Sequence, residues 1–150
     1  MSLNIKTDPK TIVIVGGGSA GHVLPALPVA QRLIERQWQV HFVGTHSGLE
    51  EKLLGDLAIT FHGVAAGKLR RYFSWQNFTD VLRIVLGVVQ SVFLLRRIRP
   101  NVIFSKGGFV SFPLVFAGWL LRIPVLAHES DLTPGLANRL VMPFVSTLCS

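Results

Sequence analysis

One cysteine, Cys149, stands alone among 150 residues. No internal disulfide can form, and a reducing compartment fits. Charge is scarce too, at 15% of the chain, and acids are the rarer sign: 8 against 15 Lys and Arg, a formal net charge of +7. That imbalance favours anionic partners, whether phosphorylated substrates, an anionic bilayer or nucleic acid. No apolar run reaches the roughly 20 residues that a bilayer demands, because Asp80, Arg83 and Gln90 interrupt the longest candidate. Residues 1–10 are polar and lack the apolar stretch of a secretory leader; they are expected to be a tail or a cloning scar outside the fold. His41, His46, His62 and Cys149 show no metal-ligand spacing, so no metal is expected. There is no Gly-x-Ser-x-Gly elbow to support Ser105 or Ser111 as a nucleophile. No recognition helix, zinc finger or RNA-binding signature is visible, so nucleic acid is not an expected partner.

What is present is an alternation of short β-branched runs with helical stretches. Strands are expected at residues 11–15, 39–43, 59–65, 101–105, 124–128 and 145–149. Helices are expected at 23–36, 50–57, 75–99, 111–121 and 135–140. This rhythm predicts an α/β fold: a doubly wound, mostly parallel, Rossmann-like sheet over residues 11–150, in the common strand order 3-2-1-4-5-6. In the long helix, Asp80, Arg83, Gly87, Gln90, Ser91 and Arg97 form a polar stripe. Much of the apolar remainder, from Val81 to Phe93, is expected to face the core.

Two glycine turns follow strands one and four. The first is Gly16-Gly17-Gly18-Ser19-Ala20-Gly21 and the second Ser105-Lys106-Gly107-Gly108-Phe109. In the expected strand order they face each other at the topological switch point, where ligands bind such sheets. Each precedes a helix whose first N–H groups suit an anion, and two together suit a diphosphate, with Lys106 adding charge. Gly16, Gly18 and Gly21 also match a dinucleotide fingerprint, but that fingerprint wants an acid ending strand two. Here the strand ends His41-Phe42-Val43-Gly44-Thr45, with Glu50 and Glu51 only later, on a helix. A nicotinamide or flavin cofactor is therefore disfavoured.

Polar side chains crowd the same edge. His22 directly follows the first loop, where the local sequence allows either a proton-accepting imidazole over the crevice or a plain helix cap. His128-Glu129-Ser130-Asp131 ends strand five. Glu129 can orient a base, hold a substrate hydroxyl or pair with a buried cation, and Asp131 suits the cap of the next helix or a sugar contact.

Taken together, residues 17–25, 107–111, 128–131 and 134–139 resemble the MurG family of peptidoglycan glycosyltransferases, in order and at similar separations. The resemblance implies the amino-terminal half of a GT-B enzyme with inverting chemistry and no cofactor or bound metal. It implies transfer of N-acetylglucosamine from UDP-N-acetylglucosamine to a lipid-linked muramyl-peptide diphosphate. By the same resemblance His22 and Glu129 are the catalytic candidates. Gly17, Gly18, Ser19, Ala20, Gly21, Lys106, Gly107, Gly108, Phe109 and Asp131 are the substrate-binding ones. The family often has Gly at Ala20, Tyr at Phe109 and Gln-Asn at Ser130-Asp131. The carboxyl-terminal domain that holds most of the donor is absent, so this chain alone is expected not to catalyse transfer.

Finally, Arg70, Arg71, Tyr72, Phe73 and Trp75 mix cations with aromatics, which suits the headgroup level of an anionic membrane. With the following helix they are expected to form a peripheral patch on the cytoplasmic face of the bacterial inner membrane. The alternative function is a non-catalytic membrane scaffold that recruits a separate donor-binding subunit.

Overall fold

Strict alternation in the first strand builds two cores at once. In β1 (Thr11–Gly16) Ile12 and Ile14 face one side, Val13 and Val15 the other, and all four are buried. A strand covered on both faces is the mark of a parallel sheet with helices above and below. The computed structural model, which describes residues 9–46, 49–67, 76–129 and 136–149, has that architecture. Around β1 lie β2 (Gln39–Thr45), β3 (Ile59–Val64), β4 (Val102–Gly107), β5 (Val125–His128) and β6 (Thr147–Cys149), all parallel, in the order β3-β2-β1-β4-β5-β6. The expected strand order is the observed one.

Helices α1 (Ala20–Val23), α2 (Leu27–Glu35) and α3 (Leu49–Leu54) serve the face built on Ile12, Ile14, Val40 and Phe42. On the other face α4 (Gln76–Ile98), α5 (Ser111–Leu120) and α6 (Leu136–Val141) cover Val13, Val15, Val43 and Ile103. The helix expected over residues 23–36 starts earlier and is broken. A 3-10 turn, Leu24–Ala26, separates α1 from α2. Pro25 and Pro28 supply the reason, since neither has an N–H to continue an α-helical ladder.

The larger correction concerns α4. Part of its polar stripe faces inward, Arg83 and Arg97 stay exposed, and much of its apolar surface faces out. Asp80, Gly87 and Ser91 are buried, whereas Val81, Leu82, Val85, Leu86, Val89 and Phe93 are exposed, Phe93 by 68%. Small and hydrogen-bonding residues let the helix dock closely. A side chain at Gly87 would collide with the carbonyl oxygen of Ala65, and the Ala65 N–H donates to Gln90 Oε1 at 2.8 Å. The helix ends at Arg99, in the left-handed region at φ 51°, whose N–H returns to the Leu95 carbonyl at 2.8 Å. Pro100 then forbids continuation.

Candidate functional site

The carboxyl edges of β1 and β4 bring the two glycine turns into contact. Gly108 sits at φ 89°, and a Cβ there would run into the carbonyl oxygen of Gly17. Gly17 is buried at this junction, while Gly18, Ser19 and Gly21 are exposed and Ala20 and His22 half-buried. His22 is the third residue of α1, and its N–H donates to the Ser19 carbonyl at 3.2 Å. Among the described residues its imidazole has no hydrogen-bond partner, so it caps nothing.

The second turn owes its shape to a bulge. Val15 pairs with Ser105 but Gly16 pairs with Gly107, leaving Lys106 as the extra residue. Bulges beside a site re-aim a side chain. Lys106 is 3% exposed and its Nζ lies 2.8 Å from His128 Nδ1. An ammonium can only donate, so Nδ1 accepts and the imidazole hydrogen sits on Nε2. The expected charge at Lys106 is thus present, but it lies beneath the loop rather than free in the crevice. Gly107 and Gly108 are buried and Phe109 is half-buried. Ser105 and Ser111 are fully enclosed, with hydroxyls unpartnered among the described residues. Neither has the access a nucleophile requires.

Glu129 reaches the same edge from the end of β5. Its carboxylate accepts from Asn138 Nδ2 at 2.5 Å, and its N–H donates to the Cys149 carbonyl at 3.0 Å. Asn138, on α6, also closes over Gly107, where a Cβ would lie 2.7 Å from Asn138 Oδ1. Asn138 thus ties Glu129 to the second loop. Sequence reasoning gave it no role, although it stands in the segment that carries the family resemblance.

Glu50 was also missed. No acid ends strand two, yet α3 swings Glu50 back to that place. The residue is fully buried. One carboxylate oxygen accepts the Gly18 N–H at 3.0 Å, and Thr45 Oγ1 donates to both oxygens at 2.9 and 3.0 Å. Burial pushes its carboxyl up, but the backbone N–H groups of Gly18 and Glu50 and the Thr45 hydroxyl outweigh that and hold it below the usual 4.5. The only advance signal was an acid in the first turn of the helix after strand two.

Asp131 lies outside the described residues, as do Arg70, Arg71, Tyr72, Phe73 and Trp75. His41 on β2 and His62 on β3 stack with ring centroids 5.2 Å apart and His41 Nδ1 to His62 Nε2 at 3.0 Å. Among the described residues no three His, Cys, Asp or Glu side chains gather as a metal-binding cluster. No described helix is long and apolar enough to cross a membrane.

Comparison with known proteins places this geometry. Residues 12–149 match the glycosyltransferase family 28 N-terminal domain. The chain is 53% identical over 139 residues to a protein of Legionella pneumophila (strain Lens), which is named UDP-N-acetylglucosamine--N-acetylmuramyl-(pentapeptide) pyrophosphoryl-undecaprenol N-acetylglucosamine transferase. It is 49% identical over 140 residues to the protein of the same name from Clostridium kluyveri. The alignments cover 93% of this chain but 38% and 40% of those relatives, so the chain spans about two fifths of their length. Among solved structures, Acinetobacter baumannii MurG superposes with a TM-score of 0.82 at 27% identity, over 94% of this chain and 41% of that one. A Neisseria meningitidis UDP-GlcNAc 2-epimerase shares the fold alone, with a TM-score of 0.65 at 16% identity over 92% of this chain and 39% of that one. The parallel sheet, the paired glycine loops and the match over residues 12–149 together make this chain a member of glycosyltransferase family 28, as its N-terminal domain.

Proposed function

We propose that this chain is the acceptor-side domain of an inverting N-acetylglucosaminyltransferase of peptidoglycan synthesis. The whole enzyme moves N-acetylglucosamine from UDP-N-acetylglucosamine to a lipid-linked muramyl-peptide diphosphate. The observation that carries the reading is the junction of the two glycine loops, with His22, Lys106 and Glu129 on one sheet edge. The crevice takes the diphosphate, with the Lys106 ammonium supporting its charge from below. His22 accepts the proton of the acceptor hydroxyl, whose oxygen then attacks the anomeric carbon as UDP departs with the bonding electron pair. Glu129 is held by Asn138 to shape the acceptor side, and Ser19, Ala20, Gly21 and Asp131 meet the donor across the crevice. The donor itself rests mainly on a carboxyl-terminal domain, so this chain alone does not catalyse transfer.

The same reading places the protein peripherally on the cytoplasmic face of the bacterial inner membrane. The outward apolar stripe of α4, with Trp119 of α5 half exposed, lies among Arg83, Arg96 and Arg97. Apolar side chains ringed by cations suit insertion at an anionic headgroup layer. The mix of cations and aromatics in Arg70, Arg71, Tyr72, Phe73 and Trp75 suits the same headgroup layer.

Calorimetric titration of the 150-residue chain tests the division of labour. A soluble lipid-linked muramyl-peptide diphosphate analogue should bind, and UDP-N-acetylglucosamine should bind weakly or not at all. Tight donor binding without acceptor binding would overturn the assignment. The scaffold alternative is separated by the continuation of the reading frame: a second Rossmann-like domain supports the enzyme, and a stop codon near Ser150 supports the scaffold.

A further inference from the structure

The first glycine loop contains its own anion. Glu50 enters from α3, is fully buried, and accepts the Gly18 N–H at 3.0 Å. Two glycines make room for it. A Cβ at Gly17 would lie 2.6 Å from Glu50 Oε1, and one at Gly44 would lie 3.0 Å from Glu50 Cβ and Cγ. Thr45, at the end of β2, clamps both carboxylate oxygens. A carboxylate with two hydroxyl contacts, a backbone donor and a glycine-lined seat is held in one geometry. Its hydrogen bonds keep it ionised through the neutral range. Meanwhile the other side of Gly18 is open, since a Cβ there would meet nothing within 4 Å.

We propose that Glu50 is the positioning residue of the first loop, and that its carboxylate, rather than a ligand phosphate, is the anion served by the Gly18 N–H. The buried negative charge repels phosphate from this loop and leaves its open face to a neutral, hydroxyl-bearing part of the ligand. A diphosphate in the crevice then rests on the Lys106 side. This sorting of ligand parts rests on the diphosphate reading above; the role of Glu50 toward Gly18 does not.

Two-dimensional amide NMR of the 150-residue chain, with inorganic pyrophosphate as the probe, tests both. The Gly18 amide resonance should follow an acid titration with its midpoint below the ordinary glutamate value of 4.5. That titration should vanish in Glu50→Gln and move upward in Thr45→Val, which removes one donor but keeps the shape. Pyrophosphate should shift the Gly107 and Gly108 amides of the wild type and leave Gly18 in place. In Glu50→Gln, Gly18 should respond and binding should tighten about tenfold, the scale of removing one nearby charge. A purely structural glutamate would give no gain of binding. A wild-type Gly18 amide that moves with pyrophosphate, or that ignores acid, overturns the proposal even where Glu50→Gln fails to fold. Pyrophosphate that moves neither loop removes the diphosphate reading instead, and the acid titration of Gly18 still decides the role of Glu50.

Discussion

Contact between the two glycine loops is the feature on which the site depends, and one pair of substitutions isolates it. Gly18 and Gly108 have nearly the same backbone, at φ 86° and 89°. An alanine at either pays for a positive φ, about 1–2 kcal/mol, and recovers about 0.4–1 kcal/mol from a stiffer unfolded chain. Gly18→Ala meets nothing else, so its net cost should be about 1 kcal/mol. Gly108→Ala also drives a methyl group into Gly17, with the Gly17 carbonyl carbon at 3.1 Å and its nitrogen at 3.3 Å, and the carbonyl oxygen closer still. These are backbone atoms and cannot rotate away, so the loops must separate. Overpacking of this kind adds about 1–3 kcal/mol. Gly108→Ala should therefore cost about 2–4 kcal/mol in all, and about 3 °C of Tm per kcal/mol at this chain length. Urea unfolding of both variants, with slopes compared to confirm a two-state transition, reads the difference directly. Equal costs, within about 0.5 kcal/mol, would mean that the loops do not touch and would refute the account of the site.

The paired histidines give a pH dependence of defined sign. Burial holds His41 and His62 below the ordinary 6.5, and the charges of His41 and Arg97 depress His62 further. The unfolded chain then binds more protons than the native one below pH 6.5, so stability is full above that value and falls as the pH drops through it toward the lowered native values. The urea midpoint should fall between pH 7.5 and 5, and the double change His41→Gln with His62→Gln should flatten it; a midpoint that rises on acidification would contradict the burial. At the membrane, Leu82→Asp with Phe93→Asp should weaken sedimentation with phosphatidylglycerol vesicles at least about tenfold, because two side chains worth about 1.5–3 kcal/mol each on full burial become charged. Both positions are exposed, so the Tm should hold, whereas unchanged vesicle binding would free the α4 stripe for a protein partner. Arg70→Glu with Arg71→Glu should abolish the same binding through charge alone.

Much of the architecture was determined by local sequence. β-Branched runs between helical stretches are enough to give a parallel sheet buried on both faces, and Gly-rich turns after strands one and four mark the edge where a ligand sits. The strand order and the meeting of the two loops followed from that rhythm, since an open doubly wound sheet has one reversal point. Tertiary structure decided what periodicity leaves open. A helical stripe in α4 shows that two faces exist, but which one turns inward depended on close approach, and Gly87, Ser91 and Gln90 allow the backbone to dock where Leu86 and Phe93 would hold it off. Lys106 became buried because a bulge, set by pairing between distant strands, re-aimed it toward His128. Glu50 entered the first loop across 32 residues of chain. Only the packing of α3 against α1 and β2 could bring an acid to a glycine turn that, read alone, looked ready for a phosphate.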